Sequence, residues 1–407
     1  MKILCVFGEH NYGVPSRGQG YEYTNFLPAL RRLGHEVVFF ESLNKGRYTG
    51  FADLNLSFLK TVEQEQPDII LCVLMTYELW TETLDMVRDF SNAVLINWST
   101  DDSWKYEQFS RLISPSFHLY ATTYPSAIAK AQKEALSNFI LTQWAANPES
   151  LTEPIEAKNC SYKVTFIGSA YGKRSKWIND LKKRGITVEC FGHGWGNGPV
   201  DAIEIPRIMR ESIICLNFSD SGFVMPGFLP RRNRQVKARI FEVTGAGSFL
   251  MTENAEDIDR FFVPDSEIVV FHDIIELADK IKFFLSHPDE RDRIAWAGFI
   301  RTRNDHTYDI RFRDLIDRIK IPEWTAGKKK NFIVDRDRFA ELERRNQSGS
   351  GLRILRRILE YPCIALWGRA RGSRAARRLV FEISWRLFGE KTYSAAGWPG
   401  RMFYSES

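Results

Sequence analysis

The chain is predicted to be an α/β protein with two doubly wound parallel sheets, on three observations. Short apolar runs alternate with amphipathic stretches through residues 1–145, the alternation pauses at the Pro- and Glu-containing stretch 146–159, and it then restarts and continues to 271. At 407 residues, 44% of them hydrophobic, the chain can fill two ordinary domain cores. Two sheets joined by one linker imply a cleft, and ligands of open α/β sheets bind beyond the carboxyl ends of the strands.

The strand candidates of the first half are KILCVF (2–7), EVVFF (36–40), IILCVL (69–74), VLIN (94–97), HLYAT (118–122) and FILTQW (139–144), with a helix near 21–34. The second half continues with YKVTFIG (162–168), TVECFG (187–192), IICLNF (213–218), SFLMT (248–252) and EIVVF (267–271), then helices over 273–286 and 288–302. Pro322 and the run KKKNFIVDRDRFAELERRNQSGSG read as a charged linker ending in a flexible joint. Beyond it, LRILRRILEYPCIALWG and RRLVFEISWRLFG set Leu, Ile, Phe and Trp beside Arg in helical rhythm. Such a tail suits either an interfacial helix on an anionic membrane or a helical cap docked on the body. The expected domains are therefore 1–148, 149–322 and a linker plus basic helical tail over 323–407.

Charge is unevenly placed. From Gly351 to Ser407 ten Arg and one Lys face four Glu, so +7 lies in the last 57 residues, and the overall +5 leaves −2 on the other 350. A basic tail on a near-neutral body points to delivery to an anionic surface, either membrane or nucleic acid, more than to a basic catalytic core; of the two, the membrane is the expected partner, with no nucleic acid. The six cysteines have no close pair, and four sit in apolar runs, so reduced thiols and a cytoplasmic setting are expected. Met1–Phe7 is too short for a signal peptide's apolar region, and no stretch reaches the ~18 apolar residues of a membrane span.

The richest segment is RQVKARIFEVTGAGSFL, residues 234–250. Arg234, Lys237 and Phe241 recur at helical spacing and Arg239 and Glu242 stand three apart, which predicts a helix with cations early and a carboxylate late, ended by Gly245 and Gly247. Cations at a helix start suit a diphosphate, and a carboxylate two turns on suits two vicinal hydroxyls. A surface helix laced with salt bridges is the alternative. Arg231 and Arg232 extend the cationic cluster.

Three other places carry chemistry. The turn Gly168, Ser169, Ala170, Tyr171, Gly172, Lys173, Arg174 follows a strand and opens a helix, so amides and two cations can meet a phosphate. The loop FGHGWGNG (191–198) has glycines at every second position, which lets backbone approach a base or sugar and lets His193 and Trp195 line a pocket. Asp101 and Asp102 follow the strand ending at Asn97, so one carboxylate is expected at the cleft rim as a general base and the other as a cap for a helix beginning near Ser103. Glu9 and His10 after the first strand are a second base candidate, and Gly18 and Gly20 open a loop able to approach phosphates. The G-x-G of Gly18 and Gly20 lacks a third glycine, Tyr23 standing there, which disfavours a dinucleotide oxidoreductase. Two D-x-D runs, Asp257–Asp259 and Asp335–Asp337, are assigned to a helix start and to the charged linker, and no metal site or cofactor is expected.

With these residues in view, the chain resembles the glycosyltransferase group typified by the spore maturation protein CgeB, over about residues 1–318. The resemblance is carried by VTFIGSAYGKRSKWINDLKKRGITVECFGHGWG (164–196), VKARIFEVTGAGSFLMTE (236–253), and FHDIIELADKIKFFLSHPDERDRIAWAG (271–298) followed by His306, Thr307 and Tyr308. Weaker likeness lies in LGHEVVFFE (33–41), INWSTDDSWKYE (96–107) and WAANPES (144–150). The resemblance implies a GT-B fold and transfer of a sugar, without a metal, from a nucleotide-sugar donor on the second domain to an acceptor on the first. The acceptor would be a polysaccharide, a lipid-linked glycan or a protein at the inner face of a membrane. Glu242 looks like the carboxylate that binds the ribose hydroxyls. The retaining branch often has a further Glu eight residues earlier, on the donor sugar, where this chain has Arg234. A nucleotide-sugar epimerase of the same architecture and a non-catalytic membrane-surface assembly protein remain as alternatives.

Overall fold

The computed structural model describes residues 1–224, 231–319, 324 and 331–404, with the side chains of 222–224, 231, 232 and 370 outside the description. It divides into two compact units: residues 1–122, 127–141 and 318–407, and residues 123–126 and 142–317.

The first unit is built on six parallel strands: β1 (Lys2–Phe7), β2 (Glu36–Glu41), β3 (Ile69–Cys72), β4 (Val94–Ser99), β5 (Leu119–Thr122) and β6 (Phe139–Leu141). Their order is β2-β1-β3-β4-β5-β6, in the register Ile3 beside Val37 and Ile69. Strands such as β3 and β4 are buried on both faces, which is why they read as continuous apolar runs rather than alternations. Helices Tyr21–Arg32, Phe51–Glu65 and Thr81–Phe90 connect them. The order reverses at β1, flanked by β2 and β3, so the loop from Gly8 to Gly20 leaves the sheet at its switch point.

The second unit holds β7 (Tyr162–Ile167), β8 (Glu189–Phe191), β9 (Ser212–Asn217), β12 (Leu250–Glu253) and β13 (Val269–Phe271), parallel in the order β13-β12-β9-β7-β8. Phe166, Phe218, Met251 and Phe271 pack with Leu181, Leu277 and Ile281 of the covering helices. Here the reversal lies at β7, between β8 and β9. Both expected sheets are present. An antiparallel hairpin of β10 (Asp220–Val224) and β11 (Arg231–Arg234) is additional, and nothing in the periodicity of a polar run such as RRNR marks a strand.

Residues 331–346, expected as a charged linker, are docked. Phe332 exchanges two backbone hydrogen bonds with the Gln66 amide at 2.8 and 2.9 Å, and the Val334 amide donates to Glu63. The helix Arg336–Asn346 buries Phe339 and Leu342. Four buried apolar residues, Phe332, Val334, Phe339 and Leu342, spaced among many charges suffice to seat the segment, a pattern that net charge conceals. Pro322 and the lysine run lie outside the described residues. The tail folds as one helical run, Ser350–Phe388, broken by Gly368 at φ 75°, and its two arms come close enough that a Cβ on Gly372 would stand 2.5 Å from the Ile364 Cα. Leu352, Leu355, Leu359 and Cys363 pack inward on Ala376, Val380, Met402 and Phe403. The tail docks as a cap through other residues, Phe381, Tyr393 and Tyr404 meeting the rings of Tyr77, Phe109 and Phe51.

Candidate functional site

The turn after β7 occupies the switch point of the second sheet. Its start is held by the Gly168 amide donating to the Phe191 carbonyl at 2.8 Å and by the Trp195 indole donating to the Gly168 carbonyl at 2.6 Å. The helix Arg174–Lys183 then begins with Lys173 as a cap that supplies no side-chain hydrogen bond, so first-turn amides are not claimed by a capping side chain. Ser169 and Lys173 are exposed. Arg174 turns back: its guanidinium lies over the rings of Phe166 and Tyr171, 5.3 and 5.6 Å from their centroids, and donates to the Ser169 carbonyl at 3.1 Å.

The loop 191–198 packs on this turn. Ala170 donates to the His193 carbonyl at 2.8 Å, and a Cβ on Gly192, whose φ is 130°, would stand 2.5 Å from the Gly168 carbonyl oxygen. The glycine at 192 is thus required by loop-on-loop contact. His193 presents its side chain to solvent beside the turn.

The cationic segment is organised differently from the predicted helix. Arg234 closes β11, opposite Asp220 of β10, and the helix spans Ala238–Gly245 with Lys237 as its extended cap residue. The β10–β11 pairing takes the backbone hydrogen bonds that a longer helix would have used, as when the Gln235 amide donates to the Ser219 carbonyl at 3.1 Å. Arg234 is drawn to a buried anion: its Nε lies 3.1 Å from Oε1 of Glu253, a fully buried carboxylate at the end of β12 whose Oε2 accepts from the Ser219 amide at 3.0 Å. The side chains of Arg231 and Arg232 lie outside the described residues.

Along the helix, Ile240, Phe241, Val243 and Thr244 face the core, leaving Arg239 and Glu242 half-buried on the outer face and paired at 3.0 Å. This is an i,i+3 pair of the kind the alternative reading expected. The helix stops where predicted: Gly247 adopts φ 74°, and a Cβ there would lie 2.3 Å from the Thr152 carbonyl. Arg239 also reaches the turn electrostatically. Burial lowers the Arg174 pKa, the charge of Arg239 lowers it further, and Asp220 and Glu253 oppose the change. The turn, the helix and the Arg234–Glu253 pair thus converge at the carboxyl ends of β7, β9 and β12.

Beside them, beyond β12 and β13, lies a groove of about 930 Å³ lined by Arg234 and Lys280 and by the carboxylates of Glu256, Asp257, Asp265 and Glu276. Asp257 sits at φ 57° ahead of the 3-10 turn Ile258–Arg260 and pairs with Arg260 at 3.0 Å, so the expected α-helix start is a single tight turn. Asp335 of the second D-x-D caps the helix Arg336–Asn346 through the Arg338 amide at 3.0 Å. Glu253 and Asp220 escaped sequence reading, since a lone acid ending an apolar run has no periodic signature.

In the first unit, Glu9 is engaged by Arg47 at 2.8 Å, while its amide donates to Glu41 at 2.7 Å. His10 pairs with Gln19 across the loop base. Gly18 has φ 78° with open space around it, whereas a Cβ on Gly20 would stand 2.8 Å from the Gly8 carbonyl, so Gly20 serves the loop's own closure. Asp101 is half-exposed and precedes the helical turn Asp102–Lys105 without a side-chain cap bond. Asp102 is not at a rim. It is 1% exposed, and its Oδ1 accepts from Ser99 at 2.7 Å and from Ser110. Burial raises its pKa against the hydroxyls of Ser110, Thr122 and Ser99, which lower it. The apolar strands on either side draw this carboxylate inward because hydroxyls wait there to satisfy it.

Residues 173–317 match the family described as glycosyl transferase-like. Among solved structures, the chain is similar to sucrose-phosphate synthase from Thermosynechococcus elongatus, with a TM-score of 0.56 and 11% identity over 78% of this chain and 99% of that one. A glycosyltransferase from Rickettsia africae gives a TM-score of 0.53 and 11% identity over 80% and 99%. Anabaena HepE, solved in complex with UDP, gives 0.52 and 11% over 78% and 99%. No curated protein sequence matches the chain. Two parallel-sheet units and similarity to these structures together establish that the chain has the GT-B fold, with a glycosyl transferase-like match confined to residues 173–317.

Proposed function

We propose that the chain is a glycosyltransferase moving a hexosyl group from a nucleotide-sugar donor to a polysaccharide, lipid-linked glycan or protein acceptor. The observation that carries this reading is the convergence of two like-charged guanidiniums, Arg174 and Arg239, at the switch point of the second sheet, with the Glu242 carboxylate beside them. Arg239 is held by Glu242 and lowers the Arg174 pKa only in part, and a bridging diphosphate would offer both guanidiniums a shared anion. Glu242 is then on hand for the ribose hydroxyls.

As the glycosidic bond breaks, the leaving nucleoside diphosphate gains negative charge. Arg174, Arg239, Lys237 and the first-turn amides of the helix Arg174–Lys183 stabilise it, each preorganised donor contributing on the order of 3 kcal/mol, with no metal required. If the reaction inverts, the acceptor hydroxyl loses its proton to Asp101, the more exposed member of its acidic pair. The residue runs shared with CgeB-type enzymes support the subgroup, and the reaction belongs at the cytoplasmic face of a membrane, where such acceptors are assembled.

HepE has been solved with UDP and with UDP-glucose, so a UDP-hexose is the first donor to test. A thermal-shift screen against UDP, GDP, CMP and dTDP sugars should show one saturable increase in the unfolding midpoint. No shift with any of the four would overturn the proposal. Conversion of the donor to a second nucleotide sugar with no acceptor present would replace it with the epimerase reading.

A further inference from the structure

The tail hairpin has two apolar faces, and only one is used. On the arm before Gly368, Leu352, Leu355, Leu359 and Cys363 pack against Ala376, Val380, Met402 and Phe403. Ile354, Ile358, Tyr361 and Ala365 recur at spacings of four, three and four, the rhythm of one helical stripe, and all are exposed. Tyr361 is 77% exposed, and the stripe runs to the hairpin tip, where Leu366 is 72% and Trp367 is 54% exposed.

Cations edge this stripe. Arg353 and Arg357 are exposed beside it, and Arg371, Arg374 and Arg378 share an exposed face of the returning arm. Over Ser350–Phe388 nine Arg face two Glu, and one of those, Glu360, is already held by Arg356 at 3.1 Å and by Ser373. Among the described residues no helix is long and apolar enough to cross a membrane.

We propose that this outer face lies in the plane of an anionic lipid bilayer, with Ile354, Ile358, Tyr361, Leu366 and Trp367 entering the headgroup boundary and the arginines meeting lipid phosphates. An exposed aliphatic stripe alone would suit any apolar partner. The arginine border and the Trp–Tyr pair on a helix too polar to span select the lipid interface, where aromatic rings sit at headgroup level and Arg stems lie along the acyl boundary. The inner face packs the two arms together, and Phe381, Tyr393 and Tyr404 seat the tail on Tyr77, Phe109 and Phe51, so the surface is presented without folding on binding. The donor chemistry proposed above is independent of this surface, and the two can fail separately.

The test is sedimentation of the full chain with vesicles of equal parts phosphatidylglycerol and phosphatidylcholine, beside vesicles of phosphatidylcholine alone. The wild type should sediment with the anionic vesicles and lose that binding as salt is raised. The triple variant Arg371→Gln, Arg374→Gln, Arg378→Gln should weaken binding about fivefold per arginine, and Ile358→Glu with Trp367→Glu should abolish it. Both variants change exposed positions, and their donor-induced thermal shifts should match the wild type. Equal binding to neutral vesicles, or retention of anionic binding by both variants, would overturn the proposal. So would a dimer in solution that both variants convert to monomer while the wild type ignores vesicles, since a second copy would then cover this face.

Discussion

Arg234 reaches across from the β-hairpin to the buried carboxylate of Glu253, Nε to Oε1 at 3.1 Å. Its charge is engaged by a carboxylate at the end of β12, and Arg234 itself lines the groove beside the candidate donor site. Replacing Arg234 with Ala leaves a fully buried carboxylate without its cation, a change that costs about 3–5 kcal/mol for a wholly buried pair. Arg234 is one-third exposed, so about 2 kcal/mol is expected here. Chemical denaturation measures this, and Glu253→Gln added to Arg234→Ala should restore most of the loss.

Glu242→Ala should lower affinity for the active nucleotide sugar by about tenfold or more, the scale of losing a hydrogen bond to a charged group. Arg239→Ala should do the same through the diphosphate. Titration calorimetry with the nucleoside diphosphate and with the nucleoside alone separates the two: the Glu242 change should weaken both ligands, and the nucleoside should be insensitive to Arg239.

His306 is held neutral. Its Nδ1 accepts from Arg311 at 2.8 Å, its Nε2 donates to the Phe261 carbonyl at 2.6 Å, and the rings of Phe241, Phe261 and Phe262 enclose it. Burial, then the Arg311 charge, push its pKa down to about 4 from 6.5. A histidine that protonates less readily when folded leaves the unfolded chain binding more protons between those values. Stability from this residue is therefore full above pH 6.5 and falls at about 1.4 kcal/mol per pH unit as pH drops toward 4. Unfolding midpoints across pH 4–7 should show this slope, and His306→Gln should flatten it.

Asp102→Ala should destabilise the first sheet unit by about 2–3 kcal/mol, because the Ser99 and Ser110 hydroxyls lose a buried acceptor. Donor affinity should stay unchanged. Asp101→Asn should show the opposite pattern: unchanged unfolding with loss of transfer to acceptor. Equal turnover by Asp101→Asn and wild type would remove Asp101 from the chemistry.

Arg291 has no exposed surface, yet it donates to the carbonyls of Ile213 at 2.8 Å, Ser212 at 2.8 Å and Ile155 at 2.9 Å while pairing with Asp292 at 2.9 Å. It ties the segment before β7 to β9 and sits within a run that resembled CgeB-type sequences. Arg291→Leu removes the donor from three backbone carbonyls and the cation from Asp292, which keeps only its bonds from the Ala157 amide. A loss of at least about 3 kcal/mol is expected, measured by denaturant midpoint, with little relief from Arg291→Lys, which lacks the planar fork.

The sequence by itself determined both sheets, the order of their strands along the chain, the glycine stop at 247 and the turn at 168–174. Apolar runs and turn glycines are local signals, set by the periodicity and backbone freedom of a few consecutive residues. Tertiary structure decided where charges went. The run around Arg234 became a strand because β10 was there to pair with it, Asp102 turned inward because Ser99 and Ser110 could satisfy it, and residues 331–346 docked through Phe332, Phe339 and Leu342 despite their charge. In each case the deciding partner lies elsewhere in the chain, and a side chain's charge is resolved by what surrounds it in space, which no local pattern records.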